Sequence, residues 1–231
     1  MYSFPEQFRA LVIGSSGVIG AALVAALERQ ARCGVVLGLH RQSTPRIDFS
    51  DEASIADAAK TLASAGPYHL IINATGMLHQ GDLLPEKRLA DLNYAHLQTI
   101  FQVNTLGPAL VLRHFAPLLD AQRGVLAVLS AKVGSIGDNR LGGWYGYRAS
   151  KAALNMLVKT AAIELARSNK QSVLVALHPG TVNSPLSRPF RGEQIGRAAA
   201  DVATDLLQVI DGLTPADSGS FRSYQGEILP W

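Results

Sequence analysis

The sequence predicts one α/β domain, a doubly wound parallel sheet with helices on both faces. Short apolar runs alternate with longer helical stretches, the strand–helix rhythm of such a fold. Several runs are continuous in Val, Ile and Leu rather than alternating, so the strands are expected to be covered on both faces. A glycine-rich turn joins the first run to the first helical stretch.

Taken in order, strands are expected at Ala10–Ile13, Gly34–Leu39, Arg46–Phe49, His69–Asn73, Gly124–Ser130 and Ser172–His178. Helices are expected at Val18–Gln30, Asp51–Ala65, Glu86–Ala121, Tyr145–Ser168 and Glu193–Ile210. Pro108 falls inside the third helical stretch and is expected to kink it, because proline has no N–H to give to the helix. The tail Pro215–Trp231 carries Phe221, Tyr224 and Trp231 and is expected to pack down. No shift in composition marks a boundary, so residues 1–231 are expected to form a single domain.

The 231 residues are 48% hydrophobic and 17% charged, enough apolar side chain for a sizeable core and too little charge for a disordered chain. A net charge of +3 with no Lys/Arg block leaves no nucleic-acid footprint. No apolar run approaches the ~20 residues of a bilayer span, and Met1–Arg9 has no apolar signal core, so no membrane partner is expected. Cys33, the single cysteine, excludes an intrachain disulfide and a cysteine-based zinc site. The histidines lack H-x-x-x-H spacing, and no metal is expected. A cytoplasmic, reducing compartment is the expected location.

The first strand runs into Gly14-Ser15-Ser16-Gly17-Val18-Ile19-Gly20. Glycine allows a tight turn and a close backbone approach, and the helix that follows offers free N–H groups to a pyrophosphate. The spacing is G-x-x-G-x-x-G rather than the G-x-G-x-x-G of the Rossmann consensus, so the loop is expected to be longer before its second glycine. Ser15 and Ser16 bring hydroxyls toward a phosphate. The second strand ends Gly38-Leu39-His40-Arg41, with no carboxylate to accept from ribose hydroxyls and with an arginine suited to a phosphate dianion. NADP is therefore expected over NAD.

Tyr147 and Lys151 are four residues apart at the start of the fourth helical stretch, hence on one helix face. A neighbouring ammonium is expected to lower the phenol pKa from its usual ~10 and to make Tyr147 a general acid.

At these residues the chain resembles the short-chain dehydrogenase/reductase family along essentially its whole length. The pieces are Gly14–Gly20, Asp48-Phe49, Ile72-Asn73-Ala74-Thr75-Gly76, Val103-Asn104-Thr-Leu-Gly107, Ser130–Ser135, Tyr147–Lys151 and His178-Pro179-Gly180. Ser130–Ile136 and Gly142–Asn155 are similar to the C-factor and sniffer-type carbonyl reductase branch. The resemblance implies a Rossmann-type fold and hydride transfer between NADP and a carbonyl or alcohol. It implies that Tyr147 protonates the carbonyl oxygen, that Lys151 binds the nicotinamide ribose and tunes Tyr147, and that Asn104 serves a proton relay. It implies cofactor contacts from Ile19, Asp48, Phe49, Asn73, Ala74, Gly76, Pro179, Gly180, Val182 and Ser184. It also implies a homo-oligomer, dimer or tetramer, and a short lid at about 183–196.

The chain departs from the family at one catalytic position. The serine that orients the substrate carbonyl stands three residues before Gly134, where this chain has Ala131. Three readings compete: Ser130 swings in, although strand alternation points it away from Ala131; Ser135 supplies the hydroxyl; or redox activity is weak and the chain is a nucleotide-binding signalling protein like C-factor.

Overall fold

A computed structural model describes residues 1–81 and 83–231. Its strands are β1 (Phe8–Ile13), β2 (Cys33–Leu39), β3 (Leu70–Asn73), β4 (Val125–Leu129), β5 (Val173–His178) and β6 (Ser220–Ser223). They form one parallel sheet in the order β2-β1-β3-β4-β5-β6. The helices are α1 (Val18–Glu28), α2 (Glu52–Ala63), α3 (Tyr94–Phe101), α4 (Gly107–Phe115), α5 (Tyr145–Ser168), α6 (Gly192–Ile195) and α7 (Ala199–Gly212).

β1, β3, β4 and β5 are buried on both faces, as expected, whereas β2 at the sheet edge is mostly half-buried or exposed. On one face Val12, Ile72, Ala127 and Val175 pack with Leu23 and Leu27 of α1 and with Val202, Leu206 and Ile210 of α7. On the other face Leu11, Ile71, Leu126 and Leu174 pack with α2, α4 and α5 through Ile55, Val111, Leu154 and Val158. The strand order reverses between β1 and β3, and in such sheets ligands bind beyond the carboxyl ends of the strands at that point.

Four expectations are corrected. Arg46–Phe49 is not a strand; only Ile47 is buried there, its N–H donates to the His40 carbonyl at 3.1 Å, and the chain then turns at Asp48. Glu86–Ala121 is not one helix. Residues 86–93 are held by side-chain turns, Asp91 accepting from the N–H groups of Lys87 and Arg88, and α3 starts only after Asn93 caps it by accepting from His96 N–H. The expected kink at Pro108 lies upstream: residues Gln102–Leu106 form a π-helical turn, and Pro108 stands in the first turn of α4, where a missing N–H matters little. Glu193–Ile210 splits into α6 and α7. The tail does pack down, and part of it is β6, whose short polar sequence Ser-Phe-Arg-Ser gave no strand signal.

α4 lies close against the connection that follows β2. A Cβ on Gly107 would stand 2.2 Å from the Phe49 ring. Gly107→Ala is expected to lower the unfolding free energy by about 1–3 kcal/mol from overpacking, although alanine is the better helix former by about 1 kcal/mol. Urea unfolding of Gly107→Ala, Phe49→Ala and the double variant should show a positive coupling; additive losses would mean that the ring moves aside freely.

Candidate active site

The segments that follow β3, β4 and β5, with the start of α5, enclose a cavity of about 340 Å³. Its wall includes Ile19, Ala74, Gly76, Ser130, Tyr147, Lys151, Pro179, Gly180, Val182 and Ser184 among the residues singled out in the sequence. Much of the remainder is apolar: Leu78, Val133, Trp144, Leu186, Phe190 and Ile195.

Lys151 is the most constrained group at the cavity. It is 3% exposed, and its Nζ donates to the Leu129 carbonyl, where β4 ends, at 3.0 Å. Burial pulls its pKa down from 10.5 to about 8. Its Nζ stands 6.0 Å from the centre of the Tyr147 ring. The expectation that this ammonium lowers the phenol pKa is corrected: burial dominates and pushes Tyr147 up to about 12. Tyr147 is therefore a neutral phenol at working pH, still holding the proton that a general acid needs.

Asn104 sits in the π-helical turn, fully buried. Its Oδ1 accepts from Met77 N–H at 2.8 Å, and its Nδ2 donates to the Met77 carbonyl at 2.7 Å and to Ser150 Oγ at 3.1 Å. Asn104 thus ties the segment after β3 to α5, one residue from Lys151.

Ser130 and Ser135 are separated by the structure. Ser130 reaches the cavity wall, but its hydroxyl donates to Asn155 Oδ1 on α5 at 2.6 Å. Ser135 lies off the wall; it donates to the Trp231 carbonyl at 3.2 Å and accepts from Asp138 N–H at 3.1 Å. Its hydroxyl fastens the tail rather than facing the cavity. Ala131 lines the wall without a hydroxyl.

The glycine loop makes a cradle that fits a dinucleotide. Gly14 has φ +86°, and a Cβ on Gly20 would stand 2.1 Å from the Gly14 carbonyl oxygen, so loop and helix meet only through glycine. α1 has no side-chain cap and no acid in its first turn, so its N–H groups stay free for an anion. Ser16 and Gly17 are exposed, whereas the Ser15 hydroxyl turns inward to the Leu39 carbonyl at 3.2 Å. Arg41 is exposed and forms no ion pair with a described residue. Asp48 accepts from the Ser50 N–H and hydroxyl, which hold its carboxyl below the usual carboxylate range. Phe49 packs under α4. Asn73 Oδ1 accepts from the Thr75 N–H at 3.1 Å and from the Thr75 hydroxyl at 2.7 Å, and its Nδ2 is buried without a partner among the described residues.

The segment at 183–196, where a lid is expected, is folded and lends Ser184, Leu186, Phe190 and Ile195 to the cavity wall. Arg188–Phe190 form a short 3-10 turn before α6, and Arg188 pairs with Glu193 at 2.7 Å. Phe190 meets Trp144 edge-on at 4.8 Å, and Trp144 meets Tyr147 at 6.2 Å. Sequence reasoning assigned no role to Phe190, Lys132 or His178, all on the wall, although the last two stand inside the Ser130–Ser135 and His178–Gly180 motifs. Burial and the charge of Lys132 drive His178 down to about 4, so its imidazole is neutral. Its position directly before Pro179 was the signal available.

Comparison with known proteins adds the following. The family described as enoyl-(acyl carrier protein) reductase matches residues 20–206. A 1-hydroxy-2-glutathionyl-2-methyl-3-butene dehydrogenase of Rhodococcus sp. is 31% identical over 187 residues, covering 81% of this chain and 79% of that one. The C-signal protein of Myxococcus xanthus is 36% identical over 177 residues, covering 75% and 99%. Among solved structures, an NADPH-bound carbonyl reductase from chicken fatty liver superposes with a TM-score of 0.83 at 22% identity, covering 99% of this chain and all of that one. Among the described residues no group of His, Cys, Asp and Glu could hold a metal ion, and no helix is long and apolar enough to cross a membrane.

The buried ammonium gives a pH test. Between pH 8 and 10.5 the unfolded chain binds a proton at Lys151 that the folded chain does not, so stability rises with pH across that window. In the absence of nucleotide, wild type is expected to gain about 3 kcal/mol on Lys151→Met over this range, at roughly 1.4 kcal/mol per pK unit. Urea unfolding at pH 7, 9 and 10 measures it; a pH-independent difference would show that the ammonium is not desolvated.

Proposed function

The chain belongs to the short-chain dehydrogenase/reductase family of oxidoreductases, and from that premise we propose that it is an NADP-dependent reductase of apolar carbonyl compounds. The observation that carries this reading is the convergence of Tyr147, Lys151 and Asn104 on one cavity beside the glycine cradle. NADPH bound there supplies the hydride. Tyr147 gives its phenolic proton to the carbonyl oxygen as the carbon is reduced, so the product is the alcohol and the phenolate is reprotonated from solvent. The Lys151 ammonium steadies that phenolate and holds the nicotinamide ribose, while Asn104 keeps α5 in register for the proton's return. Trp144, Phe190, Leu186 and Val133 favour an apolar substrate and exclude water.

The lack of an acid at the end of β2 and the exposed Arg41 support NADP over NAD, as does the NADPH named for the chicken carbonyl reductase. Exposed Leu106, Met156 and Ile163 on the α4–α5 side support a two-fold homo-oligomer. We keep the expected single domain and cytoplasmic location as part of this reading.

Ala131 and the likeness to C-signal favour a second reading, a nucleotide-binding signalling protein with weak redox activity. NADPH consumption with a panel of aldehydes, ketones and quinones separates the two. Tyr147→Phe is expected to lower turnover by about 10²–10⁴-fold; tight NADPH binding with no turnover by wild type supports signalling. Arg41→Ala is expected to reduce the preference for NADPH over NADH by about ten- to a hundredfold in isothermal titration. NADH binding tighter than NADPH in wild type would remove the Arg41 assignment.

A further inference from the structure

The start of α5 is held from outside the helix. Gly142, Gly143 and Trp144 take left-handed backbone angles in succession, φ +64°, +64° and +53°. Trp144 is the N-cap, and a bulky residue is strained there unless its surroundings fix it. Its own side chain does not close the first turn. Glu86 does, from the segment after β3. The Glu86 backbone carbonyl accepts from Trp144 N–H at 2.5 Å, and its Oε2 accepts from Gly146 N–H at 3.0 Å. Gly146 immediately precedes Tyr147.

Glu86 is 3% exposed, and the ionisable group facing it is His96 of α3, with Nδ1 3.4 Å from Oε1. A Cβ on Gly146 would stand 2.8 Å from that same Oε1, so glycine lets the carboxylate lie against the helix end. Burying a carboxylate is unfavourable unless it is bonded, and among the described residues only Oε2 is hydrogen-bonded, to the helix N-terminus, while Oε1 has the His96 ring as its neighbour. Glu86 is not part of the cavity wall; whatever it does for the site passes through the backbone of residues 144–147.

We propose that Glu86 is a positioning residue for Tyr147: capping α5 at Gly146 and fixing Trp144 in its left-handed conformation, it sets where the phenol and the indole wall stand. The catalytic half of this inference rests on Tyr147 being the proton donor. The contact requires reach rather than charge. Glutamine keeps the length and an acceptor oxygen for Gly146 N–H, whereas aspartate keeps the charge but is one methylene short.

The test compares Glu86→Gln, Glu86→Asp and Glu86→Ala with wild type and with Tyr147→Phe. NADPH oxidation is followed with a panel carbonyl that wild type reduces, and amide hydrogen exchange is followed without nucleotide. Glu86→Asp and Glu86→Ala are expected to lower kcat by about ten- to a hundredfold, with KM for NADPH within about twofold of wild type. Their Gly146 amide should exchange about five- to tenfold faster, while the second half of α5 keeps its protection. Glu86→Gln should restore both readouts. If the alanine variant fails to fold, the aspartate and glutamine variants carry the comparison. Wild-type exchange at Gly146 in Glu86→Asp overturns the proposal, as does a variant that loses activity with glutamine but keeps it with aspartate. A fully active Tyr147→Phe sinks the Tyr147 reading alone, and the exchange data still judge Glu86.

Discussion

The Lys151 ammonium is kept out of water against the Leu129 carbonyl oxygen, and the layout of the cavity follows from that single contact. It requires β4 to end where its last carbonyl faces α5, and α5 to cross the sheet close enough for a lysine to reach that carbonyl. The neighbouring Ser150 then fixes the next layer: its hydroxyl accepts from Asn104, which in turn clasps Met77 through both of its amide groups. The π-helical turn is what brings Asn104 to this junction, since one extra residue in the turn rotates the side chain toward α5. Three segments far apart in sequence are thereby locked around a charge whose proton the folded chain holds less tightly than a lysine in water does.

That charge sits beside a cavity with few other polar groups free to act. The Ser130 hydroxyl is committed to Asn155, the Ser135 hydroxyl to the tail, and the His178 imidazole is neutral. Position 131, which would bring a hydroxyl to the wall, brings a methyl. The phenol of Tyr147, to which the proposed function gives the proton transfer, lies near both the buried lysine and the Trp144–Phe190 pair.

Much of this was legible in the sequence, and what was not has identifiable causes. Continuous Val/Ile/Leu runs revealed β1 to β5 because parallel strands must be apolar on both faces. β6 escaped because only Phe221 of its four residues is a large apolar side chain. Arg46–Phe49 misled because one buried isoleucine imitates an edge strand that no partner completes. The glycine cradle and the Tyr147/Lys151 pair were local patterns. The tuning of Tyr147 was not, since spacing places a charge nearby but says nothing of how deeply the pair is buried. The reach of Glu86 to Gly146 spans sixty residues of sequence, and no periodicity or motif announces it.

The Ser135–Trp231 contact has a consequence for the order in which the molecule assembles. It joins residues 96 apart in sequence, and the Gly137 N–H donates to the same Trp231 carbonyl at 3.0 Å. Trp231 also stacks on Phe221 of β6, with ring centres 5.7 Å apart. The stretch leading from the cavity wall to α5 is thus pinned by a segment that docks only once β6 has joined the sheet edge. Contacts of such long sequence separation are slow to form because the loop between them must close first. Closure of the cavity wall is therefore tied to docking of the tail, a contact with a long loop to close.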